Sequence, residues 1–126
     1  MDDVRKDELR QLFSKVRHGR HKEVQAILDG GVSPSVRDEF GNTLLIMAAQ
    51  NGHKRIAKMC LRGGGDINAQ NFRGQTALHY CYAFHYEELG EYIKSKGAKD
   101  DVTNEYGLTC YDGLEPSETR IDTGGG

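Results

Sequence analysis

A spacing of 33 residues, from Gly41 to Gly74 and from Gly74 to Gly107, is the feature that most restricts the fold of this chain. Each of these glycines is followed two positions later by a threonine. A second set of glycines, Gly31, Gly64 and Gly97, keeps the same spacing. A fixed period of this size is typical of repeat proteins, in which short units stack and each contacts its neighbours. The period therefore predicts an array of units rather than a single globular core.

The segment 38–70 shows what one unit contains. An apolar run at 44–49 and an amphipathic run at 53–61 are separated by the polar residues 50–52, and the glycines 63–65 end the second run. This pattern predicts two helices joined by a tight turn. Isolated helices shorter than about 12–15 residues are marginal in water. Such a unit has to stack on copies of itself to be stable.

Two segments, GNTLLIMAAQNGH and GQTALHYCYAFHY, resemble the G-x-T-P-L-H-x-A-x-x-x-G-H signature of the ankyrin repeat family. The resemblance covers about residues 4–114, and it implies an all-α solenoid of about three and a half helix-turn-helix repeats. The repeats are 4–37, 38–70, 71–103 and a partial repeat, 104–116. The chain departs from the signature at Ile46, where a histidine is usual, and at His85, where a glycine is usual. The proline that usually follows the threonine is also missing from every repeat.

The two ends of the array differ from its middle. The first repeat lacks the leading turn, and its charged residues 5–8 and Arg10 suit a capping repeat, whose outer side has no neighbour. In the last repeat, Gly113 and Pro116 interrupt the first helix. We expect one domain over residues 1–116 and a disordered tail over 117–126. The sequence leaves open how the C-terminal face is capped and whether the chain is a fragment of a longer one.

Composition argues against several classes of function. The net charge is −2 and the basic residues are scattered among acidic ones, so nothing favours nucleic acid as a partner. No apolar run approaches the roughly 18–20 residues of a transmembrane helix, and the charged start MDDVRKDELR does not resemble a signal peptide. Three cysteines without a CxxC pair are typical of a reducing compartment. We therefore expect a cytoplasmic monomer without a nucleic-acid or membrane partner.

The clearest hint of a metal site is the pair Cys81 and His85, which are four residues apart and could share a helix face. However, Cys81 occupies the position of Ala48 in the preceding repeat, a core position where a free cysteine behaves as a small hydrophobe. The resemblance also implies that His79 is held by hydrogen bonds from Thr76. We expect no metal, and a metal or redox site at Cys81 and His85 is kept as an alternative.

Catalytic patterns are also missing from the sequence. A cysteine nucleophile needs an activating base and a lowered pKa, and no residue is identified for either role. The glycines 63–65 follow a helix rather than a strand, which does not fit a phosphate-binding loop. We expect no enzymatic activity and no cofactor.

The resemblance implies a concave face, made of the turn tips and the first helices, at which partners bind. Aromatic and arginine side chains dominate the energetics of protein interfaces, and every full tip carries an aromatic residue. The residues predicted to bind a protein partner are Glu39, Phe40, Asn42, Asn51, Phe72, Arg73, Gln75, Phe84, Glu105 and Tyr106. Arg17, His18, Gln50, Ala83 and Leu108 lie beside them on the same predicted face.

The predicted function is protein–protein interaction through this concave face, with an unidentified protein as partner. The alternative is a structural or regulatory segment of a larger polypeptide that docks on its own neighbouring domain. On the convex face, Lys54, Lys58, Glu87 and Glu91 alternate in charge, and we expect them to form solvated surface.

Overall fold

The computed structural model describes residues 2–117, with side chains from Arg5 onward. It contains six helices, which form three helical hairpins. They are α1 (Asp2–Arg17), α2 (His21–Asp29), α3 (Leu44–Gln50), α4 (Lys54–Arg62), α5 (Ala77–Ala83) and α6 (Glu87–Ser95). No strand occurs in the part of the chain that is described, although an isolated bridge joins Arg37 and Thr43. The predicted all-α repeat stack is confirmed.

The helices form two layers. The first helices of the hairpins, α1, α3 and α5, pack side by side, and each packs on the second helix of its own hairpin. The core between the layers is continuous and includes Val16, Leu45, Ile56, Leu78 and Ile93. Burying one such aliphatic side chain is worth about 1.5–3 kcal/mol. Among the described helices, none is long and apolar enough to cross a membrane.

The short helices α3 and α5 begin at a capping threonine. The Oγ of Thr43 accepts a hydrogen bond from the backbone N–H of Ile46 at 3.2 Å. The Oγ of Thr76 accepts from the N–H of His79 at 3.3 Å. Such a cap contributes about 0.5–2 kcal/mol, which matters for helices of only seven residues.

Helix α1 is longer than its counterparts and takes the place of the first turn tip. It has 16 residues, whereas α3 has seven. The residue that corresponds to the start of α3, Leu44, is Gln11, so the segment 2–10 of α1 is an addition at the N-terminal end. This added segment forms a side wall next to the tip of the second repeat.

The partial fourth repeat forms a cap without a helix. Cys110 is buried, and the ring of Tyr111 lies 5.1 Å from the ring of Tyr82, centre to centre. The carbonyl of Leu114 accepts hydrogen bonds from the side-chain amides of Gln75 at 2.8 Å and Asn104 at 2.9 Å. Residues 108–114 thus cover the end of the third repeat. Of the predicted tail, residues 118–126 lie outside the described part of the chain.

The turn between paired helices explains the unusual His85. Gly19 and Gly52 occupy this turn with φ values of 71° and 70°, and His85 adopts 64°. A ring from the next repeat covers each glycine: a Cβ on Gly19 would lie 2.8 Å from the ring of His53, and one on Gly52 would lie 2.7 Å from that of Tyr86. Within the described residues no helix follows α6, so no such ring faces His85, whose side chain is exposed. A side chain therefore fits there despite the positive φ.

Candidate protein-binding surface

Each turn tip is built around one polar side chain at its base. Asp38 Oδ1 accepts hydrogen bonds from the backbone N–H groups two and four residues later, at 2.9 and 2.8 Å. Asn71 does the same in the next repeat, with both distances 3.0 Å, and Asn104 in the last, at 2.9 and 3.1 Å. The three tips therefore share one backbone conformation, with the residue two positions after the base turned outward.

Backbone hydrogen bonds join neighbouring tips into one edge. The N–H of Phe72 donates to the carbonyl of Phe40 at 3.1 Å, and the N–H of Glu105 donates to that of Arg73 at 3.0 Å. Because these bonds tie one tip to the next, the spacing between tips is set before any partner arrives. A preorganised surface loses less conformational entropy on binding.

Two long side chains beneath the tips strengthen this edge. Arg37 Nη1 donates to the carbonyls of Gly41, at 2.7 Å, and Gln70, at 2.8 Å. Gln70, one repeat later, donates from Nε2 to the carbonyls of Gly74 and Thr103, both at 3.0 Å. Each side chain thus donates one hydrogen bond to a glycine carbonyl of its own tip and one to the extended segment that leads into the next tip.

Four aromatic side chains on the predicted face are exposed to solvent. The exposed fractions are 63% for Phe40, 75% for Phe72, 46% for Phe84 and 44% for Tyr106. Phe84, at the end of α5, has its ring centre 5.8 Å from that of Tyr80. The hydroxyl of Tyr80 in turn accepts a hydrogen bond from the Asn71 side chain at 2.8 Å. The helix end is therefore connected to the base of the Phe72 tip.

Two predicted binding residues are buried, and their assignment to the accessible face is corrected. Asn42 is 5% exposed and Gln75 is 3% exposed. The side-chain oxygen of Asn42 accepts a hydrogen bond from Asn71 at 2.9 Å, and that of Gln75 accepts from Asn104 at 3.1 Å. These bonds cross from one repeat to the next. Both residues stabilise the stack, and little of either side chain is exposed.

The other predicted polar residues differ in accessibility. Glu39 is exposed at the first tip. Arg73 and Glu105 are also exposed, and their charged atoms lie 4.0 Å apart on neighbouring tips. Asn51 is half-buried, and its side-chain N–H donates to the carbonyl of Met47 at 2.9 Å. Asn51 therefore closes the end of α3 and has less freedom to contact a partner.

A groove between α1 and the first tip was missed by the sequence analysis. It encloses about 740 Å³. Its walls carry the basic residues Lys6, Arg10, Arg17 and Arg37, the acidic residues Asp38 and Glu39, and the apolar residues Leu9, Phe13, Phe40 and Met47. The charged residues 5–8 and Arg10 of α1 predict a cap rather than a groove wall. One sequence signal pointed to this groove. The apolar stripe of α1 begins as early as Leu9, and Lys6 and Arg10 lie next to Leu9 on the helix.

The three cysteines are free and buried, and their thiols have raised pKa values. Burial raises the pKa of the Cys60 and Cys81 thiols to about 12, and that of Cys110 to about 11. A thiol with a raised pKa carries little thiolate at neutral pH, which is the opposite of what a nucleophile or metal ligand needs. Within the described residues, no three His, Cys, Asp or Glu side chains lie close enough to hold a metal ion.

His79 is a buried histidine that holds two repeats together in its neutral form. Its Nδ1 accepts hydrogen bonds from the N–H of Thr76 at 3.2 Å and from the Thr76 hydroxyl at 2.8 Å. Its Nε2 donates to the carbonyl of Leu108 at 2.9 Å. Burial lowers the pKa of His79, although the bond to Leu108 opposes this. Protonation of Nδ1 would remove an acceptor that serves two donors.

We expect His79 to make stability depend on pH. Because the folded-state pKa lies below the ordinary value of 6.5, the unfolded state binds the proton more readily. This contribution to stability is complete above pH 6.5 and is lost as the pH falls through that value toward the folded-state pKa. Because a single proton is involved, the free energy of unfolding falls by at most about 1.4 kcal/mol per pH unit.

The matched variant is His79→Ile, since Ile46 fills the same position one repeat earlier. Urea unfolding at several pH values between neutral and mildly acidic should show a smaller acid loss for the variant than for the wild type. Identical pH profiles of the two proteins would contradict the role assigned to His79.

Comparison with known proteins agrees with this architecture. The family profile described as "Ankyrin repeats (3 copies)" matches residues 12–104 of the chain. An ankyrin repeat-containing protein of Schizosaccharomyces pombe is 33% identical over 97 residues, which are 77% of this chain and 46% of that protein.

Two plant proteins match a shorter part of the chain. An E3 ubiquitin-protein ligase of Arabidopsis thaliana is 39% identical over 70 residues, which are 54% of this chain and 14% of the ligase. An ADP-ribosylation factor GTPase-activating protein of the same plant is 30% identical over 69 residues, 55% of this chain and 9% of that protein. The chain therefore spans less than half the length of each relative named here.

Proposed function

The chain belongs to the ankyrin repeat family, and we propose that it binds a partner protein through the concave face formed by its tips and first helices. Ankyrin repeats are generally modules of protein–protein interaction, and repeat domains of this kind are typically non-catalytic. The ligase and GTPase-activating activities named in the plant relatives belong to proteins of which this chain covers only a small share. We propose binding without catalysis.

One observation carries this proposal: four aromatic side chains stay exposed on a surface whose backbone is held in place by hydrogen bonds. The tip of Phe72 is fixed by Asn71 below it and by the carbonyl of Phe40 beside it. A large apolar side chain held rigidly in water gains free energy when a partner covers it. Such aromatic anchors carry most of the binding energy in protein interfaces.

The proposed binding surface consists of the exposed tip residues and the end of α5. Its anchors are Phe40, Phe72, Arg73, Phe84 and Tyr106, with Glu39 and Glu105 as charged neighbours and Asn51 at the margin. The groove beside α1 continues this surface at its N-terminal end, since Phe40 belongs to both. A partner covering the tips would meet both basic and acidic residues on that side.

We expect Phe72→Ala or Arg73→Ala to weaken binding of a partner at least tenfold with little change in melting temperature. The Phe72 ring is three-quarters exposed, so its loss removes few contacts within the protein. A partner would first be isolated by affinity capture from the source organism. Its dissociation constant would then be measured by calorimetry with each variant.

Lys22→Ala on α2 and Glu87→Ala on α6 are the matched controls, because both residues are exposed on second helices. These variants should bind the partner like the wild type. Loss of affinity in the controls, with full affinity in the tip variants, would assign binding to the other side of the stack.

Docking within a longer polypeptide is a second candidate function. It is favoured by the lengths of the relatives, in which the matched segment is less than half of each protein. The same anchors would then contact a neighbouring domain. Phe72→Ala in the longer polypeptide would increase hydrogen exchange at the tips, whereas a partner in trans would leave exchange in the free protein unchanged.

We further propose a cytoplasmic, monomeric protein. The three free thiols favour a reducing compartment, since disulfides form and persist mainly in oxidising ones. Measurement of molar mass by light scattering tests the monomer.

A further inference from the structure

The outward side of α4 concentrates positive charge. This helix carries Lys54, Arg55, Lys58 and Arg62 and contains no acidic residue. Carboxylates are found instead on the neighbouring second helices, and α6 has Glu87 and Glu88 in its first turn. On this convex face, Lys54 and Lys58 lie on α4, whereas Glu87 and Glu91 lie on α6.

Three of these cations form a line. Lys54, Lys58 and Arg62 follow each other at intervals of four residues, which places them along one side of the helix. At a rise of 1.5 Å per residue the line is about 12 Å long. A shallow depression of about 420 Å³ runs beside it and is lined by the same residues with Arg55 and Met59. We call these four basic residues the α4 ridge.

Most charges of the α4 ridge have no carboxylate partner. Lys54 pairs with Glu88 at 3.0 Å. Arg55 donates to Nε2 of His21 at 3.0 Å, which is a neutral acceptor in that bond. Among the side chains described in residues 5–117, no carboxylate lies within 4.0 Å of the charged groups of Arg55, Lys58 or Arg62. The positive charge of the ridge is thus largely uncompensated.

An additional lysine joins the ridge around one aromatic ring. The ammonium groups of Lys54, Lys58 and Lys96 lie 5.2, 5.1 and 5.6 Å from the ring centre of Tyr92. Cation–π attraction offsets part of the repulsion among them. Like charges held this close on a helix surface are still unfavourable, and a bound anion relieves that repulsion.

We propose that the α4 ridge is a second docking surface, which binds a short acidic segment of a protein. A segment with carboxylates about 6 Å apart, such as an acidic helix with one at every fourth residue, matches the spacing of the three cations. Arg55 and Arg62 can each receive a carboxylate with two parallel hydrogen bonds.

The surroundings favour a short peptide over a larger polyanion. The second helices on either side of α4 carry carboxylates, with Glu87, Glu88 and Glu91 on α6 and Glu23 and Asp29 on α2. The chain as a whole has a net charge of −2. A membrane surface or a nucleic-acid duplex is broad enough to meet these carboxylates and would be repelled by them. A peptide that covers only α4 would not.

This docking surface is independent of the proposed concave site. Helix α4 belongs to the second layer, whereas the tips and the first helices form the concave face. The two surfaces can be occupied at the same time, and a variant at one leaves the other intact.

The test uses a helix-forming synthetic peptide with a glutamate at every fourth position and a second peptide with glutamine in their place. Calorimetry should detect binding of the glutamate peptide, weakened by added salt, and no binding of the glutamine peptide. The double variant Lys58→Glu/Arg62→Glu should weaken binding at least tenfold. In heteronuclear NMR spectra, the peptide should shift the amide signals of α4 rather than those of the tips.

The control is Lys99→Glu/Arg5→Glu, which changes the net charge equally at two exposed sites away from α4. It should bind the peptide with the wild-type affinity, apart from the small effect of net charge. Melting temperatures establish that both double variants are folded.

Three results would overturn the proposal. The first is the absence of peptide binding, and the second is an equal loss of affinity in the two double variants. The third is tighter binding to phosphatidylserine vesicles or duplex DNA than to the peptide, with the same dependence on Lys58 and Arg62. That last result would assign the ridge to a different class of partner.

Discussion

Replacing Leu45 with alanine should lower the free energy of unfolding by about 2–5 kcal/mol. Leu45 is fully buried in α3, and α3 packs against α4 in its own hairpin and against α1 and α5 on either side. The cavity left by the variant therefore affects all three hairpins. Because neighbouring repeats stabilise each other through their interfaces, the loss should be felt by the whole stack.

Urea unfolding followed by circular dichroism measures this loss, and Leu9→Ala provides the control. Leu9 is only half-buried, near the start of α1 and at the edge of the groove. Its replacement should cost less, since part of its side chain is already exposed to water. Comparable losses for Leu45→Ala and Leu9→Ala would contradict the placement of the core.

Gly74→Ala should cost about 2–6 kcal/mol, from backbone strain and steric overlap together. Gly74 has a φ of 78°, in the left-handed region that favours glycine. A Cβ at this position would lie 2.9 Å from the Cα of Asn104 and 2.9 Å from the N of Glu105. Both atoms belong to the backbone of the next tip, so they cannot move aside as a side chain could.

The variant Gly107→Ala separates the effect of backbone strain from that of steric overlap. Gly107 has nearly the same φ, 76°, but a Cβ there would meet no atom within 4 Å. Its replacement carries the strain alone, about 1–2 kcal/mol. Thermal and urea unfolding of the two variants should therefore differ clearly. Equal destabilisation would mean that the approach of the last tip to Gly74 contributes nothing.

The fold could be predicted because its signals are local and repeated. The glycine and threonine of each tip recur in one register, and the threonine before α3 caps that helix. The same holds for the core, since the apolar positions Leu45 and Leu78 correspond between repeats and are both buried. A sequence pattern that is weak in one unit becomes informative when it recurs in the same register in every unit.

The binding surface was harder to predict because exposure at a tip depends on the next repeat. Asn42 and Gln75 are polar residues in a turn, which is usually a sign of exposure. Both are buried because Asn71 and Asn104 of the following repeats donate hydrogen bonds to them. A polar residue that binds another polar residue 29 positions away carries no local signal of burial.

The two ends of the stack also escaped prediction. The charged residues 5–8 and Arg10 are typical of a solvated cap, so the extension of α1 into the groove wall was not evident from the sequence. At the other end, Gly113 and Pro116 predicted an interrupted helix, whereas residues 104–117 contain no helix at all. The packing of Tyr111 and the carbonyl of Leu114 against the third repeat has no periodic signal, because it uses an irregular backbone. Such an irregular cap is recognised from its contacts in the structure and not from a periodic sequence pattern.

The three buried cysteines can report the order in which the units of the stack open. Cys60 lies in α4, Cys81 in α5 and Cys110 in the terminal cap, so each reports on a different unit of the stack. A buried thiol reacts with a reagent only when the unit around it opens. In a stack of this kind opening can begin at an end and proceed inward. The order in which the three sulfur atoms are labelled would therefore record the direction of unravelling without any added probe.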